Sequence, residues 1–134
     1  MRTYVYSQRI SWGDCDSAGI VYHPNFYRWF DVGSQELVRE AGYAVRDLRA
    51  HGHDILLVET GCRYKAAGLF DDLVQVCSQI SEVREKTFRV EHRCTRDGAL
   101  LCEGFSVRVY ANISVPGAFK AEAMPEAMRA ALSA

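Results

Sequence analysis

Apolar and polar residues alternate over residues 4–12, with Tyr4, Tyr6, Ile10 and Trp12 on one side and Ser7, Arg9 and Ser11 mostly on the other. That period of two predicts a half-buried strand. The spacing then lengthens: Phe26, Phe30, Gly33, Leu37 and Ala41 recur at steps of four and three, an apolar stripe on a helix over about 24–41. Pro24 suits the first helical position, because its φ is fixed and its missing N–H is not needed there, and Gly42 suits the left-handed residue that ends a helix. Ala44 to Ala50 reads as a short helix before a His51-Gly52-His53 loop.

Period two returns afterwards, predicting strands near 55–66, 73–84, 86–96 and 99–113, the last two joined by the hairpin signal Asp97-Gly98. In sequence order these form an antiparallel meander. Along the third, Phe88 and Val90 alternate with Thr87, Arg89, Glu91 and Arg93; along the fourth, Phe105, Val107, Val109, Ala111 and Ile113 face one way and Ser106, Arg108 and Asn112 the other. One face of such a sheet has to be covered, and the long helix is the available cover. Pro116 and Gly117 break the last strand, and Glu122 to Ser133 is Ala-rich enough for a terminal helix.

The 134 residues suit one domain, 1–134, burying roughly two-thirds of its unfolded surface. Sixteen basic residues scattered among 17 acidic ones, for a net charge of −1, argue against a nucleic-acid or anionic-membrane footprint and leave a small molecule as the default partner. The segment Met1 to Gln8 has no apolar core of signal-peptide length and no apolar run approaches a membrane span, so a cytoplasmic location is expected. Cys15, Cys62, Cys77, Cys94 and Cys102 are odd in number and form no Cys-x-x-Cys pair, which disfavours a disulfide framework or a zinc knuckle. His51-x-His53 lacks a third metal ligand, and no metal site is expected.

Chemistry concentrates in Gly13-Asp14-Cys15-Asp16-Ser17-Ala18-Gly19-Ile20-Val21-Tyr22-His23-Pro24-Asn25-Phe26. Two carboxylates, a glycine turn and a histidine precede the long helix, whose first N–H groups sit at the positive end of the macrodipole and can polarise a carbonyl oxygen. Asp16, one short loop away, is placed to attack such a carbonyl or to activate water. Cys15 has no acidic third partner and reads as a small semi-buried residue rather than a nucleophile. Asp14 reads as loop-shaping.

This segment resembles the signature of the 4-hydroxybenzoyl-CoA thioesterase family of hotdog-fold acyl-CoA thioesterases, Asp-x-Asp-x-x-Gly-hydrophobic-hydrophobic-Tyr/Trp-His/Tyr-x-Asn-Tyr/Phe. Asp14, Asp16, Gly19, Ile20, Val21, Tyr22, His23, Asn25 and Phe26 carry the match, and the downstream order of elements extends it over about residues 4–113. The resemblance implies an α+β hotdog fold, an antiparallel sheet wrapped around one long helix. It implies hydrolysis of an aromatic, hydroxybenzoyl-type CoA thioester to free acid and CoA, without bound cofactor. Asp16 is then nucleophile or general base. His23 offers its backbone N–H to the thioester carbonyl, and its imidazole either acts with the Asp, as in relatives associated with the tol-pal system, or merely caps the helix.

Asp31 in Arg28-Trp29-Phe30-Asp31 matches Arg-Trp-Leu-Asp of members specific for 4-hydroxybenzoyl-CoA. It lies seven residues past Pro24, about 10 Å up the helix, within reach of a para substituent on a benzoyl group held at the helix start. The alternative for Asp31 is a salt bridge. Arg84 and Lys86 sit at a strand junction where the family places residues that bind CoA phosphates, although Glu85 replaces an Arg of that pattern. Long strand edges and a helix flank with Tyr27 and Val38 favour closed pairing, and the family forms dimers, often doubled to tetramers, with the site at the subunit boundary. Rival readings are a short-chain aliphatic acyl-CoA thioesterase and a non-catalytic acyl-CoA-binding module; a hotdog-type dehydratase needs a differently placed His–acid pair.

Overall fold

A computed structural model describes residues 1–134 throughout. The elements run β1 (Thr3–Arg9), a 3-10 turn (Trp12–Asp14), α1 (Pro24–Glu40), α2 (Val45–Ala50), β2 (His53–Tyr64), β3 (Leu73–Val83), β4 (Thr87–Arg96), β5 (Ala99–Asn112), β6 (Lys120–Ala121) and α3 (Glu126–Ser133). All strand pairings are antiparallel, and the sheet order is β1-β3-β4-β5-β2, with β6 added to β5. Only β3, β4 and β5 form a meander. The expected four-strand meander is corrected here: β2 crosses to pair with β5, which leaves β1 and the 12-residue β2 as the two edges. No helix is long and apolar enough to cross a membrane.

α1 lies across the sheet and buries Phe26, Trp29, Phe30, Gly33, Leu37 and Val38. One apolar cluster gathers Phe26 and Phe30 with Ile10, Val74, Val76 and Leu101 around the first half of the helix. The other gathers Leu37 and Val38 with Ile80, Phe88 and Val90, and is closed by Met128 and Leu132 of α3. Val38 therefore belongs to the core and not to an exposed flank, contrary to its sequence placement; Tyr27 is half-buried.

The inner face of β5 is also the reverse of the apolar reading. Ser106, Arg108 and Tyr110 are buried, whereas Phe105, Val107 and Val109 are only half-buried. Ser106 has a side-chain partner and Arg108 is bonded through Nη2 alone, which offsets much of the desolvation penalty that would otherwise exclude them. His92 on β4 bonds the Ser78 hydroxyl through Nδ1 at 2.7 Å and the Ser106 hydroxyl through Nε2 at 3.0 Å, and stacks on the Phe30 ring at 4.4 Å. On the outer face the Arg89 guanidinium covers Phe105 at 4.0 Å.

Helix and sheet approach closest at Gly33, where an added Cβ would overlap the Ser78 hydroxyl and stand 2.9 Å from the Ser78 Cβ. Gly33→Ala is therefore expected to push α1 from β3 and disturb the Ser78–His92 bond, lowering stability by about 1–3 kcal/mol in urea titration. An unchanged midpoint would show that the helix yields freely.

Candidate active site

The loop before α1 is a pinned hairpin. Cys15 pairs with Val21 and Ile20 with Leu69 as isolated bridges, and the Val21 N–H donates to the Gly68 carbonyl at 2.9 Å. Asp14 holds its base: one carboxylate oxygen accepts the Ser11 N–H and hydroxyl, both at 2.9 Å, and its carbonyl accepts the Tyr22 N–H and the Asn25 side-chain amide, both at 2.8 Å. Gly19 turns the chain at φ +76°. The result holds Asp16 on an exposed turn, its Oδ1 accepting the Ala18 N–H at 2.8 Å and its backbone closing onto Ile20 and Gly19.

At the start of α1, the Asn25 N–H donates to the Tyr22 carbonyl and the Phe26 N–H to the His23 carbonyl, while Pro24 has no N–H to offer. The His23 N–H thus remains the one donor of this turn without a partner in the chain. Beside it opens a cavity of about 350 Å³, lined by Ile20, Val21, His23, Phe26, Tyr64 and Ala66 among others. The Tyr64 hydroxyl reaches the His23 carbonyl at 3.4 Å, and burial holds this phenol above its usual range, so it stays a donor at neutral pH. The His23 ring meets Tyr22 and Tyr64 edge-on, with centroids 5.2 and 6.3 Å away.

Asp31 lines a different cavity, of about 620 Å³, together with Asp14, Tyr27, Thr60, Ser106 and Arg108. Its carboxylate makes the intramolecular salt bridge that stood as the alternative to a substrate role. Arg108 Nη2 donates to Oδ1 at 2.6 Å and Gln35 Nε2 to Oδ2 at 2.8 Å, and the side chain is 45% exposed. Within one chain Asp31 and His23 do not share a cavity, and Asp16 lines neither.

Arg84 and Lys86 occupy the β3–β4 turn, where Arg84 pairs with Glu82 at 2.9 Å and the Lys86 carbonyl accepts the Tyr110 N–H. The Asp16 hairpin packs at the other end of β3, because Ile10 bonds Asp72 there and Phe70 bonds Gly19. At about 3.3 Å per residue over 11 residues, one chain separates these groups by the order of 30 Å.

Cys15 fits its structural reading: desolvation, then the charges of Asp14 and Asp16, hold its thiol above the ordinary range, away from a nucleophilic thiolate. Cys62 is pushed up to about 12, first by burial and then by Cys102, and all five cysteines are free. His53 is engaged by Glu122 at 2.7 Å and stacked on Tyr110. The sequence pattern gives no task to Asn25 or Tyr64 and puts Arg108 only in the row opposite Phe105, Val107 and Val109. Asn25 lay inside the motif, where its spacing from Asp14 was the available signal.

The Thioesterase-like superfamily matches residues 10–132. A 4-hydroxybenzoyl-CoA thioesterase of Pseudomonas sp. (strain CBS-3) is 30% identical over 118 residues, 82% of this chain and 84% of that protein. The acyl-CoA thioesterase YbgC of Haemophilus influenzae is 28% identical over 129 residues, 96% of this chain and 93% of its own. Among solved structures, the BH1999 gentisyl-coenzyme A thioesterase superposes with a TM-score of 0.87 at 32% identity, covering 96% of this chain and 99% of that one. A 4-hydroxybenzoyl-CoA thioesterase mutant complexed with 4-hydroxybenzoyl-CoA superposes with a TM-score of 0.88 at 26% identity, over 98% and 99% of the two chains.

A sheet wrapped on one helix, with this loop at the helix start, defines a hotdog-fold thioester hydrolase. The chain belongs to the thioesterase-like superfamily and is an acyl-CoA thioesterase.

Proposed function

We propose that this enzyme hydrolyses the CoA thioester of a hydroxylated aromatic acid of the hydroxybenzoyl type, with Asp16 as its principal catalytic group. The observation that carries the reading is the built turn before α1, which leaves one Asp16 carboxylate oxygen unbonded on the short loop that leads to the unpartnered N–H of His23. That N–H, at the positive helix end, stabilises the oxyanion formed when the thioester carbonyl is attacked. As nucleophile, Asp16 bonds to the acyl carbon as the C–S bond breaks; water then cleaves the mixed anhydride and restores the carboxylate. As base, it takes a proton from the attacking water, and the departing CoA sulfur is protonated in turn. Either route consumes one water and yields the acid and CoA. The aromatic preference draws on the Pseudomonas relative and the gentisyl-coenzyme A thioesterase, and on Asp31 as acceptor for a ring hydroxyl.

The test is thiol release from butyryl-, benzoyl-, 3-hydroxybenzoyl- and 4-hydroxybenzoyl-CoA. A hydroxybenzoyl ester should give the highest kcat/KM, and Asp31→Ala should narrow its lead over benzoyl-CoA. Equal rates for butyryl and hydroxybenzoyl esters would favour the short-chain aliphatic reading, which the mostly apolar cavity beside His23 supports.

Completion of the site by a second subunit is part of the proposal, with Arg84 and Lys86 of that subunit holding CoA phosphates. The exposed β2 edge, bulged between Leu57 and Glu59 and carrying exposed Leu57 and Val58, is a surface that pairing would cover. Light scattering at micromolar concentration is expected to give a dimer or a tetramer. An active, strictly monomeric protein would contradict it.

A further inference from the structure

Arg108 is a buried cation with unused donors. Its side chain is 8% exposed, yet of the guanidinium nitrogens only Nη2 is bonded, to Asp31; Nε is buried without a partner and Nη1 makes no hydrogen bond. A guanidinium presents five N–H donors in a rigid fork, and a buried one left half-used is costly unless something else accepts from it. Both members of the pair line the 620 Å³ cavity, whose wall also carries Ser106 and Thr60. Arg108 Nη1 is the donor left for a group in the cavity, and the Asp31 carboxylate is the acceptor.

We infer that Arg108 and Asp31 together read the acyl group, and that the group they read both donates and accepts a hydrogen bond. A ring hydroxyl does this: its O–H donates to the Asp31 carboxylate while its oxygen accepts from Arg108. A ring carboxylate satisfies Arg108 but is repelled by Asp31. An aromatic amine satisfies Asp31 but offers Arg108 a poor acceptor. Arg108 is thus a specificity-determining residue, and the inference rests on the hydroxyaryl reading above.

The test compares 4-hydroxybenzoyl-, 4-aminobenzoyl- and butyryl-CoA, with the 3-substituted isomers alongside in case the ring is shifted. In the parent enzyme the hydroxy ester should exceed its near-isosteric amino counterpart in kcat/KM by about tenfold, the value of one charge-assisted hydrogen bond. Arg108→Met should lower the hydroxy rate selectively and bring the hydroxy-to-amino ratio close to one, while Arg108→Lys, which keeps a donor, should retain part of it. Equal losses on both esters would mean that Arg108 only positions Asp31, and would overturn the inference while leaving the hydroxyaryl reading in place. A parent ratio near one overturns it without any variant, even if Arg108→Met fails to fold. Butyryl-CoA matching both aryl esters overturns the hydroxyaryl reading, and the inference with it.

Discussion

Asp16→Asn should reduce kcat by a factor on the order of 10² or more while binding of the CoA ester persists, as expected when a principal catalytic group is lost but its shape is kept. The substitution is close to silent for the fold. The asparagine oxygen can still accept the Ala18 N–H that Asp16 Oδ1 takes, and the bonds of the Asp16 backbone to Ile20 and Gly19 do not involve the side chain. What disappears is the anionic oxygen, as nucleophile or base. Steady-state thiol release, with circular dichroism and equilibrium binding on the same sample, separates catalysis from folding. A folded Asp16→Asn protein with near-normal turnover would remove Asp16 from the mechanism.

Acid should weaken the fold through His92. Burial, and after it the positive charge of Arg108, hold His92 down at about 3, far below an ordinary histidine near 6.5. The two serine hydroxyls on its ring nitrogens suit a neutral imidazole, which donates from one nitrogen and accepts at the other. Between these values the unfolded chain binds a proton that the folded chain refuses, so stability rises with pH across the window. The contribution is complete above about pH 6.5 and is lost as pH falls toward 3, by an amount on the order of 5 kcal/mol at 1.36 kcal/mol per unit. Urea midpoints at pH 7.5, 6 and 5 should fall in that order. His92→Gln, which keeps polar contacts for Ser78 and Ser106 without a titrating ring, should flatten the trend above the carboxylate range. A parent midpoint unchanged from pH 7.5 to 5 would refute the assignment.

Local pattern was enough for the elements themselves. The stripe Phe26, Phe30, Gly33 and Leu37 marks the buried face of α1, and Pro24 marks its first residue, because helical period and backbone restrictions act within a few neighbouring residues. The motif from Asp14 to Phe26 likewise announced its turn, since Gly19 and the Asp14 bonds to Ser11, Tyr22 and Asn25 are short-range. Period two also sorted β5 correctly into two rows.

Which row faced inward was beyond it. Alternation tells which residues share a side, and the choice of side depends on partners from distant strands and from the helix: Ser78 and His92 for Ser106, Asp31 for Arg108. Paired in this way, polar groups lose the penalty that makes an isolated one avoid the core, and the apolar row of Phe105, Val107 and Val109 is left on the outer face. The crossing of β2 to β5 and the separation of Arg84 from Asp16 along β3 are non-local for the same reason. By itself the sequence determined the helix, the strands and the turn that carries Asp16. Only the tertiary structure decided that Asp31 works beside Arg108, because that contact joins positions 77 residues apart and exists only once the sheet has closed on the helix.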